Sequence, residues 1–188
     1  MKELSENEIR FKAESYCVQA ERCSSEVCRK MQQWGATEEQ VARVMEYLLA
    51  ERYLDESRFA ELFARDKMRY NHWGKVKIQY ALKDKGVSAH DIQHALSLLD
   101  QAEYAEILVR LLSGKRSRVS GRNEYECRQK LIRFALGRGF SMQETLYALE
   151  DLNMGEDEDF DFEYEDADDD EDFDYEYEEI DWDDEPQK

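Results

Sequence analysis

The chain has 188 residues, of which 38% are charged, eight are glycine and one is proline. So little glycine and proline favours long helices and argues against a β-sandwich or a barrel, whose many turns use both residues. The formal net charge is −19, yet residues 154–188 carry 21 of the 45 acidic residues and one of the 26 basic ones, so the preceding part of the chain is nearly neutral and an anionic partner is not excluded for it.

Nine helices are predicted in chain order from the spacing of apolar residues and from residues that cap helices. Ser5 followed by Glu8 forms a capping pair for the first helix, and Asp55 is a good N-cap for the fourth. A loop without acidic residues, 113–122, separates the seventh helix from the eighth. The expected helices cover about residues 5–17, 24–34, 38–51, 55–71, 75–84, 89–99, 102–112, 123–136 and 142–151.

Three similar turns between helices indicate a repeated unit. In each, a glycine ends one helix in the left-handed conformation, and a hydroxyl side chain two residues later begins the next helix. The pairs are Gly35 with Thr37, Gly86 with Ser88, and Gly139 with Ser141. The sequence therefore predicts an all-α protein: an elongated array of three tandem three-helix repeats (1–54, 55–100 and 101–153) followed by a disordered acidic tail, 154–188.

The sharpest short segment joins the third helix to the fourth and reads Arg-Tyr-Leu-Asp-Glu-Ser-Arg-Phe-Ala from position 52. Tyr53 and Leu54 are expected to fill the corner between two repeats, where Asp55 caps the next helix and Phe59 packs. Arg58 allows two interpretations, a structural role at this corner or a contact with a partner.

This segment from Tyr53, together with the pattern Gly-x-x-x-Ile-x-x-x-Leu-x-x-Lys-Gly-Val-Ser from Gly74, resembles the RecX family, bacterial regulators of the RecA recombinase. The segment from Cys127 to Ser141 is similar to the family's last repeat, and the resemblance covers about residues 10–152. It implies an all-helical array of three-helix repeats. The motif residues that carry it are Tyr53, Leu54, Asp55, Phe59, Gly74, Gly86 and Gly139.

The resemblance also implies a function. Members of the family lie along the groove of the filament that RecA forms on single-stranded DNA, and they alter its growth, ATP hydrolysis and strand exchange. This implies a non-enzymatic regulator in recombination and DNA repair, with RecA and single-stranded DNA as partners. The acidic tail departs from the family pattern, which ends soon after the third repeat.

Basic residues of the second and third repeats are the candidate contacts with RecA or DNA, because phosphates and acidic protein surfaces both attract such clusters. The alternative is that they form solvated helix faces. The candidates are Arg58, Arg65, Lys67, Lys75 and Lys77 in the second repeat, and Lys115, Arg116, Arg118, Arg122, Lys130 and Arg133 in the third. The aromatic residues near them, which could stack on bases, are Tyr70, Trp73, Tyr80 and Tyr125.

Other classes of function find little support in the sequence. No phosphate-binding loop or nucleophile motif is present, so neither an enzyme nor a cofactor is expected. His90 and His94 are one helical turn apart but lack a third ligand nearby, so a metal is not expected either. The sequence contains neither a signal peptide nor a long apolar stretch, which predicts a cytoplasmic protein, and a monomer is expected.

The acidic tail has three interpretations: a solubility appendage, an intramolecular cover that competes with DNA, and a mimic of nucleic acid. An alternative function from another class is a helical nucleic-acid-binding module that acts without a recombinase, with the tail as autoinhibitor or DNA mimic. The turns between its helices suit a helix-turn-helix motif.

Overall fold

The computed structural model describes residues 4–153. Over that range the chain forms nine α-helices and no strand, and extensive helix packing occurs within the groups α1–α3, α4–α6 and α7–α9, here called repeats 1, 2 and 3. The helices are α1 (Glu6–Gln19), α2 (Ser24–Gln33), α3 (Glu38–Ala50), α4 (Glu56–Asn71), α5 (Lys75–Asp84), α6 (Ala89–Ser97), α7 (Gln101–Arg116), α8 (Glu124–Gly137) and α9 (Met142–Asp151). The predicted all-α fold of three-helix repeats is confirmed, and the acidic tail lies outside the described residues.

The three glycine turns form as predicted. Gly35, Gly86 and Gly139 have φ values of +88°, +84° and +87°, a region in which a side chain is strained. The hydroxyl two residues after each glycine then caps α3, α6 or α9 by accepting a hydrogen bond from the backbone N–H three residues further on. Local sequence therefore determines how the last two helices of every repeat are joined.

Repeat 1 has a hydrophobic core of its own. Ile9 of α1, Val27 and Met31 of α2, and Leu48 of α3 are fully buried in it. Leu54, which follows α3, is 3% exposed and belongs to the same core. The corner after α3 therefore packs with repeat 1.

Repeat 2 begins at Asp55. Its carboxylate accepts a hydrogen bond of 3.0 Å from the backbone N–H of Arg58 and so caps α4. Phe59, one turn into this helix, is 5% exposed and its ring lies 5.7 Å from that of Phe63. The junction between the two repeats is therefore a single peptide link between a buried residue and a helix cap.

The first seam, between repeats 1 and 2, is made by side chains. The C-terminal end of α5 meets the N-terminal end of α2, where the Ser25 hydroxyl donates to the Lys85 carbonyl oxygen at 2.6 Å. The Lys85 ammonium group pairs with the Glu26 carboxylate at 2.6 Å. The backbone N–H of Ser24 donates to the Glu56 carboxylate at 2.7 Å.

The second seam, between repeats 2 and 3, repeats this arrangement with backbone atoms. The Gly74 N–H donates to the Arg138 carbonyl oxygen at 2.8 Å, and the Val76 N–H donates to the Gly139 carbonyl oxygen at 3.0 Å. A Cβ atom on Gly74 would lie 2.1 Å from the carbonyl carbon and oxygen of Gly139. The seam can therefore close only because position 74 is glycine.

The seventh helix is longer than predicted. It continues to Arg116, whereas the sequence indicated an end near residue 112 and a loop over 113–122. Leu112 is fully buried, and Lys115 and Arg116 complement the negative end of the helix dipole. The prediction that these two cations lie in a loop is therefore wrong, and the connection to α8 covers 117–123.

Candidate nucleic-acid interface

Three aromatic rings in repeats 2 and 3 each lie close to two cations. The set is here called the cation–ring strip, and its rings are Phe63, Trp73 and Phe134. Its cations are Lys85, Lys67, Lys77, Arg138 and Lys115.

The first two rings follow the interface between α4 and α5. The Phe63 ring centre lies 5.6 Å from Lys85 Nζ and 5.3 Å from Lys67 Nζ. The Trp73 ring centre lies 4.9 Å from Lys67 Nζ and 4.7 Å from Lys77 Nζ. Lys67 therefore bridges the two rings.

The third ring continues the strip into repeat 3. The Phe134 ring centre lies 5.0 Å from Lys115 Nζ and 5.5 Å from Arg138 Cζ. Arg138 also donates from its guanidinium to the Asn71 carbonyl oxygen at 3.1 Å, which holds it against repeat 2. The second seam therefore joins the two parts of the strip.

Helix geometry explains how these side chains come together. In α5, Lys77 and Ala81 are four residues apart, and the C-cap Lys85 follows four residues later, so the three share one face. Phe63 and Lys67 have the same spacing on α4. Because α4 and α5 pack together, the two rows line one interface.

The electrostatics of the strip favour an anion. Burial lowers the pKa of Lys67, and the nearby charge of Lys85 lowers it further. Burial likewise lowers the pKa of Lys77, with Arg138 as the second cause. Both lysines are therefore cations that lie near another cation and have lost part of their hydration, although the Asp66 carboxylate partly offsets this for Lys67. A phosphate or carboxylate placed on the strip would relieve the repulsion between the cations.

Several predicted contacts are engaged inside the protein. Arg58 pairs with Glu21 at 2.6 Å, and Glu21, with burial opposing it, is the main cause of the raised pKa of Arg58. Lys75 donates to Gln101 Oε1 at 2.8 Å and lies 4.7 Å from the ring centre of Tyr104. Arg58 and Lys75 are therefore structural contacts between repeats, and their role in binding stays a prediction.

The third-repeat candidates are spread around α7 and α8. Arg116 donates to the Leu152 carbonyl oxygen at 2.9 Å. Lys130 and Arg122 flank Glu126 at 3.5 and 3.4 Å. Arg122 and Arg133 border a depression of about 270 Å³ beside α8. The structure therefore brings Lys67, Lys77 and Lys115 into the strip but leaves the other third-repeat candidates apart from it.

The remaining candidates and aromatic residues lie on the surface. Arg65 and Arg118 are exposed. Tyr70 and Tyr80 are 78% and 62% exposed. These two tyrosines, unlike the half-buried Trp73, leave ring faces that a base could reach.

Sequence reasoning missed the Phe63 and Phe134 rings and the part played by Lys85 and Arg138. One signal was present: each ring is followed four residues later by a cation, as Phe63–Lys67, Trp73–Lys77 and Phe134–Arg138. Within a helix this spacing places a cation one turn beyond a ring, as for Phe63 and Lys67 in α4. Trp73 lies just before α5, and Arg138 is the C-cap of α8. The spacing could have identified these three ring–cation pairs from the sequence, but not the approach of Lys85 to Phe63 or of Lys115 to Phe134.

Within residues 4–153, no group of three His, Cys, Asp or Glu side chains is arranged to hold a metal ion. His94 instead lies 3.5 Å from Glu61, and His90 lies 3.5 Å from Asp91. None of the helices described is long and apolar enough to cross a membrane.

Comparison with known proteins connects this fold to a family. The family model described as the second three-helix domain of RecX matches residues 55–96, and that of the third domain matches residues 102–149. The regulatory protein RecX of Chlorobium limicola is 32% identical over 127 residues, which are 66% of this chain and 78% of the relative. That of Clostridium acetobutylicum is 29% identical over 145 residues, which are 75% of this chain and 67% of the relative.

Solved structures agree on the fold. The crystal structure of RecX from Lactobacillus salivarius superposes with a TM-score of 0.69 at 22% identity, over 80% of this chain and 97% of that one. Some curated relatives are longer: the match spans 56% of the protein from Clostridium perfringens strain 13. With the second and third domains matched in order and three-helix repeats in place, the chain belongs to the RecX family of regulatory proteins.

Proposed function

We propose that this chain regulates a RecA recombinase by binding in the groove of the RecA–single-stranded DNA filament, where it modulates filament assembly, ATP hydrolysis and strand exchange. One observation carries most weight: the cation–ring strip lies in repeats 2 and 3, the same repeats that the two family models match. Relatives named as regulatory proteins support a regulatory role.

The mechanism is electrostatic and geometric. A strip of cations that crosses from one repeat into the next suits a partner whose negative charges also recur along a line, as the phosphates of a DNA strand do. A chain bound in a filament groove bridges successive recombinase subunits. It blocks a second DNA strand there, or it caps the growing end. No chemical step by the regulator is required.

The acidic tail adds a second element to the proposal. Its 21 carboxylates repel the phosphates of free DNA. This lowers affinity for bare strands and leaves the assembled filament, with its protein surfaces, as the preferred target. The tail lies outside the described residues, so this element rests on composition alone.

The test is ATP hydrolysis by the cognate RecA on single-stranded DNA, with the full-length chain titrated in. Inhibition or stimulation at amounts far below one chain per RecA subunit would indicate action at filament ends. An effect that needs near-stoichiometric amounts would indicate coverage of the groove. No change in hydrolysis or strand exchange at any ratio would contradict the proposal.

A second candidate is a nucleic-acid-binding module that acts without a recombinase. The exposure of Tyr70 and Tyr80 favours it, because base stacking on such rings does not depend on sequence. Fluorescence anisotropy with labelled oligothymidylate separates the two functions. Tight binding without RecA, together with unchanged RecA hydrolysis, would favour the module.

A further inference from the structure

Charged side chains carry most of the first seam. Lys85 pairs with Glu26, and Arg58 pairs with Glu21, both at 2.6 Å. The side chains of Lys85 and Arg58 are 31% and 41% exposed, so water and salt reach both pairs. Exposed ion pairs weaken as salt screens them.

Two carboxylates at this seam are only half satisfied. One carboxylate oxygen of Glu21 accepts a hydrogen bond from Arg58. One carboxylate oxygen of Glu56 accepts a hydrogen bond from the Ser24 N–H. The other oxygen of each is buried without a hydrogen-bond partner among the described residues. A buried oxygen that lacks a donor costs free energy relative to water. Opening the first seam would hydrate both oxygens, so the closed seam is held against this tendency.

The second seam also has an exposed ion pair, between Arg69 and Glu103 at 2.7 Å, but among the described residues it alone adds backbone hydrogen bonds between the repeats. Backbone N–H groups of Gly74 and Val76 meet the carbonyl oxygens of Arg138 and Gly139, and both glycines are buried. Such bonds carry no net charge and are screened little by salt. Tyr104, which is 3% exposed, adds a hydroxyl that accepts from the Lys75 N–H at 3.1 Å.

We propose that repeat 1 swings as a unit about the junction between Leu54 and Asp55, while repeats 2 and 3 stay together as one body. The ion pairs of Lys85 and Arg58 form a salt-sensitive latch that holds repeat 1 in place. The junction suits a pivot because Leu54 is fixed in the core of repeat 1 and Asp55 is fixed as the cap of α4.

The latch shares one cation with the candidate interface. Lys85 Nζ lies 5.6 Å from the Phe63 ring centre within the cation–ring strip and 2.6 Å from Glu26. An anion on the strip therefore competes with Glu26 for the same charge. The latch does not depend on the proposed function, and a failed test of one leaves the other standing.

Two distances measured in the full-length chain by double electron–electron resonance test the latch. Serine replaces the half-exposed Cys28 and Cys127, and spin labels are attached at exposed glutamines. Gln33→Cys with Gln93→Cys reports on repeats 1 and 2, and Gln93→Cys with Gln143→Cys reports on repeats 2 and 3. From about 50 mM to about 500 mM salt, we expect the first distribution to broaden about twofold and the second to keep its width.

Latch variants supply the second arm. Lys85→Gln or Arg58→Gln should broaden the first distribution already at low salt. Lys83, an exposed lysine near the end of α5, takes no part in the latch. Lys83→Gln removes one positive charge, as the latch variants do, and should leave the first distribution narrow. Circular dichroism checks that helix content is equal in all variants. A first distribution that stays narrow in high salt and in both latch variants would overturn the proposal.

Discussion

The two seams between repeats occupy equivalent places and are built differently. In both, the C-terminal end of one middle helix meets the N-terminal end of the middle helix before it in the chain. At the second seam the N-cap of α5 is Gly74, and backbone touches backbone. At the first seam the N-cap of α2 is Cys23, whose side chain is fully buried there.

One residue type therefore decides the chemistry of a seam. Without a Cβ, Gly74 lets the two helix ends approach until their backbones hydrogen bond. With a side chain at position 23, the same ends are joined by Ser25, Glu26 and Lys85 instead. The second seam should depend mainly on shape and the first mainly on charge, and the variants below separate these properties.

The largest expected effect is at Gly74. Gly74→Ala places a Cβ 2.1 Å from the Gly139 backbone, so the seam must open, and we expect a loss of about 3 kcal/mol in the free energy of unfolding. Urea denaturation measures it. Gly86→Ala is the control, because its Cβ meets open space and only the strain of φ +84° remains, which costs about 1 kcal/mol. Equal losses in the two variants would show that the close backbone approach at Gly74 does not determine the stability of the second seam.

The next effect is at Tyr104, which joins α5 to repeat 3. Its hydroxyl accepts from the Lys75 N–H and lies 3.3 Å from the Glu144 carboxylate. Tyr104→Phe keeps the ring but leaves these groups unpaired, at a cost of about 1–2 kcal/mol in the free energy of unfolding. Tyr147→Phe, which removes a hydroxyl from a side chain that is 59% exposed, should cost almost nothing. Losses of similar size in both would show that burial at the second seam is unimportant.

The first seam should respond to salt. Lys85→Gln removes the pair with Glu26 and should lower the free energy of unfolding by about 0.5–1 kcal/mol at low salt. In about 1 M salt the Debye length falls to about 3 Å, and most of that difference should disappear. Denaturation of both proteins at the two salt concentrations measures it. A loss that is the same at both would mean that Lys85 acts by packing rather than by charge.

The smallest effect is in pH dependence and concerns the cations near the second seam. The folded-state pKa values of Lys67 and Lys77 are lowered, so between those values and 10.5 the unfolded chain binds more protons. The free energy of unfolding should therefore gain a small contribution as pH rises through that window. The double variant Lys67→Gln, Lys77→Gln should lack this contribution. Denaturation of the unmodified chain and of the double variant at about pH 8 and about pH 10 measures the contribution. An equal change in the free energy of unfolding of the two proteins would show that these two lysines do not cause it.

Local features were predictable from the sequence. The three glycine turns could be predicted, because Gly35, Gly86 and Gly139 end their helices through their own backbone conformation. The cap at Asp55 was predictable for the same reason. The end of α7 was not, because a loop composition around Gly114 competed with the burial of Leu112.

Long-range features were not predictable. The pairing of Arg58 with Glu21 joins residues 37 apart, and composition alone could not separate this structural arginine from one that meets a partner. The sequence indicated only the ring–cation pairs that are four residues apart. The approach of Lys85 to Phe63 could not be predicted, because it depends on how α4 packs against α5. Side chains that meet only through tertiary packing leave no local pattern.

The most direct test of the central claim compares two variants in the RecA hydrolysis assay on single-stranded DNA. Lys67→Gln with Lys77→Gln removes two cations of the strip, whereas Lys83→Gln removes an exposed cation from another face of α5. If the strip meets the filament, the double variant should need about tenfold more protein for half of the effect, which corresponds to about 1.4 kcal/mol, and Lys83→Gln should match the unmodified chain. A double variant as potent as the unmodified chain would contradict the account.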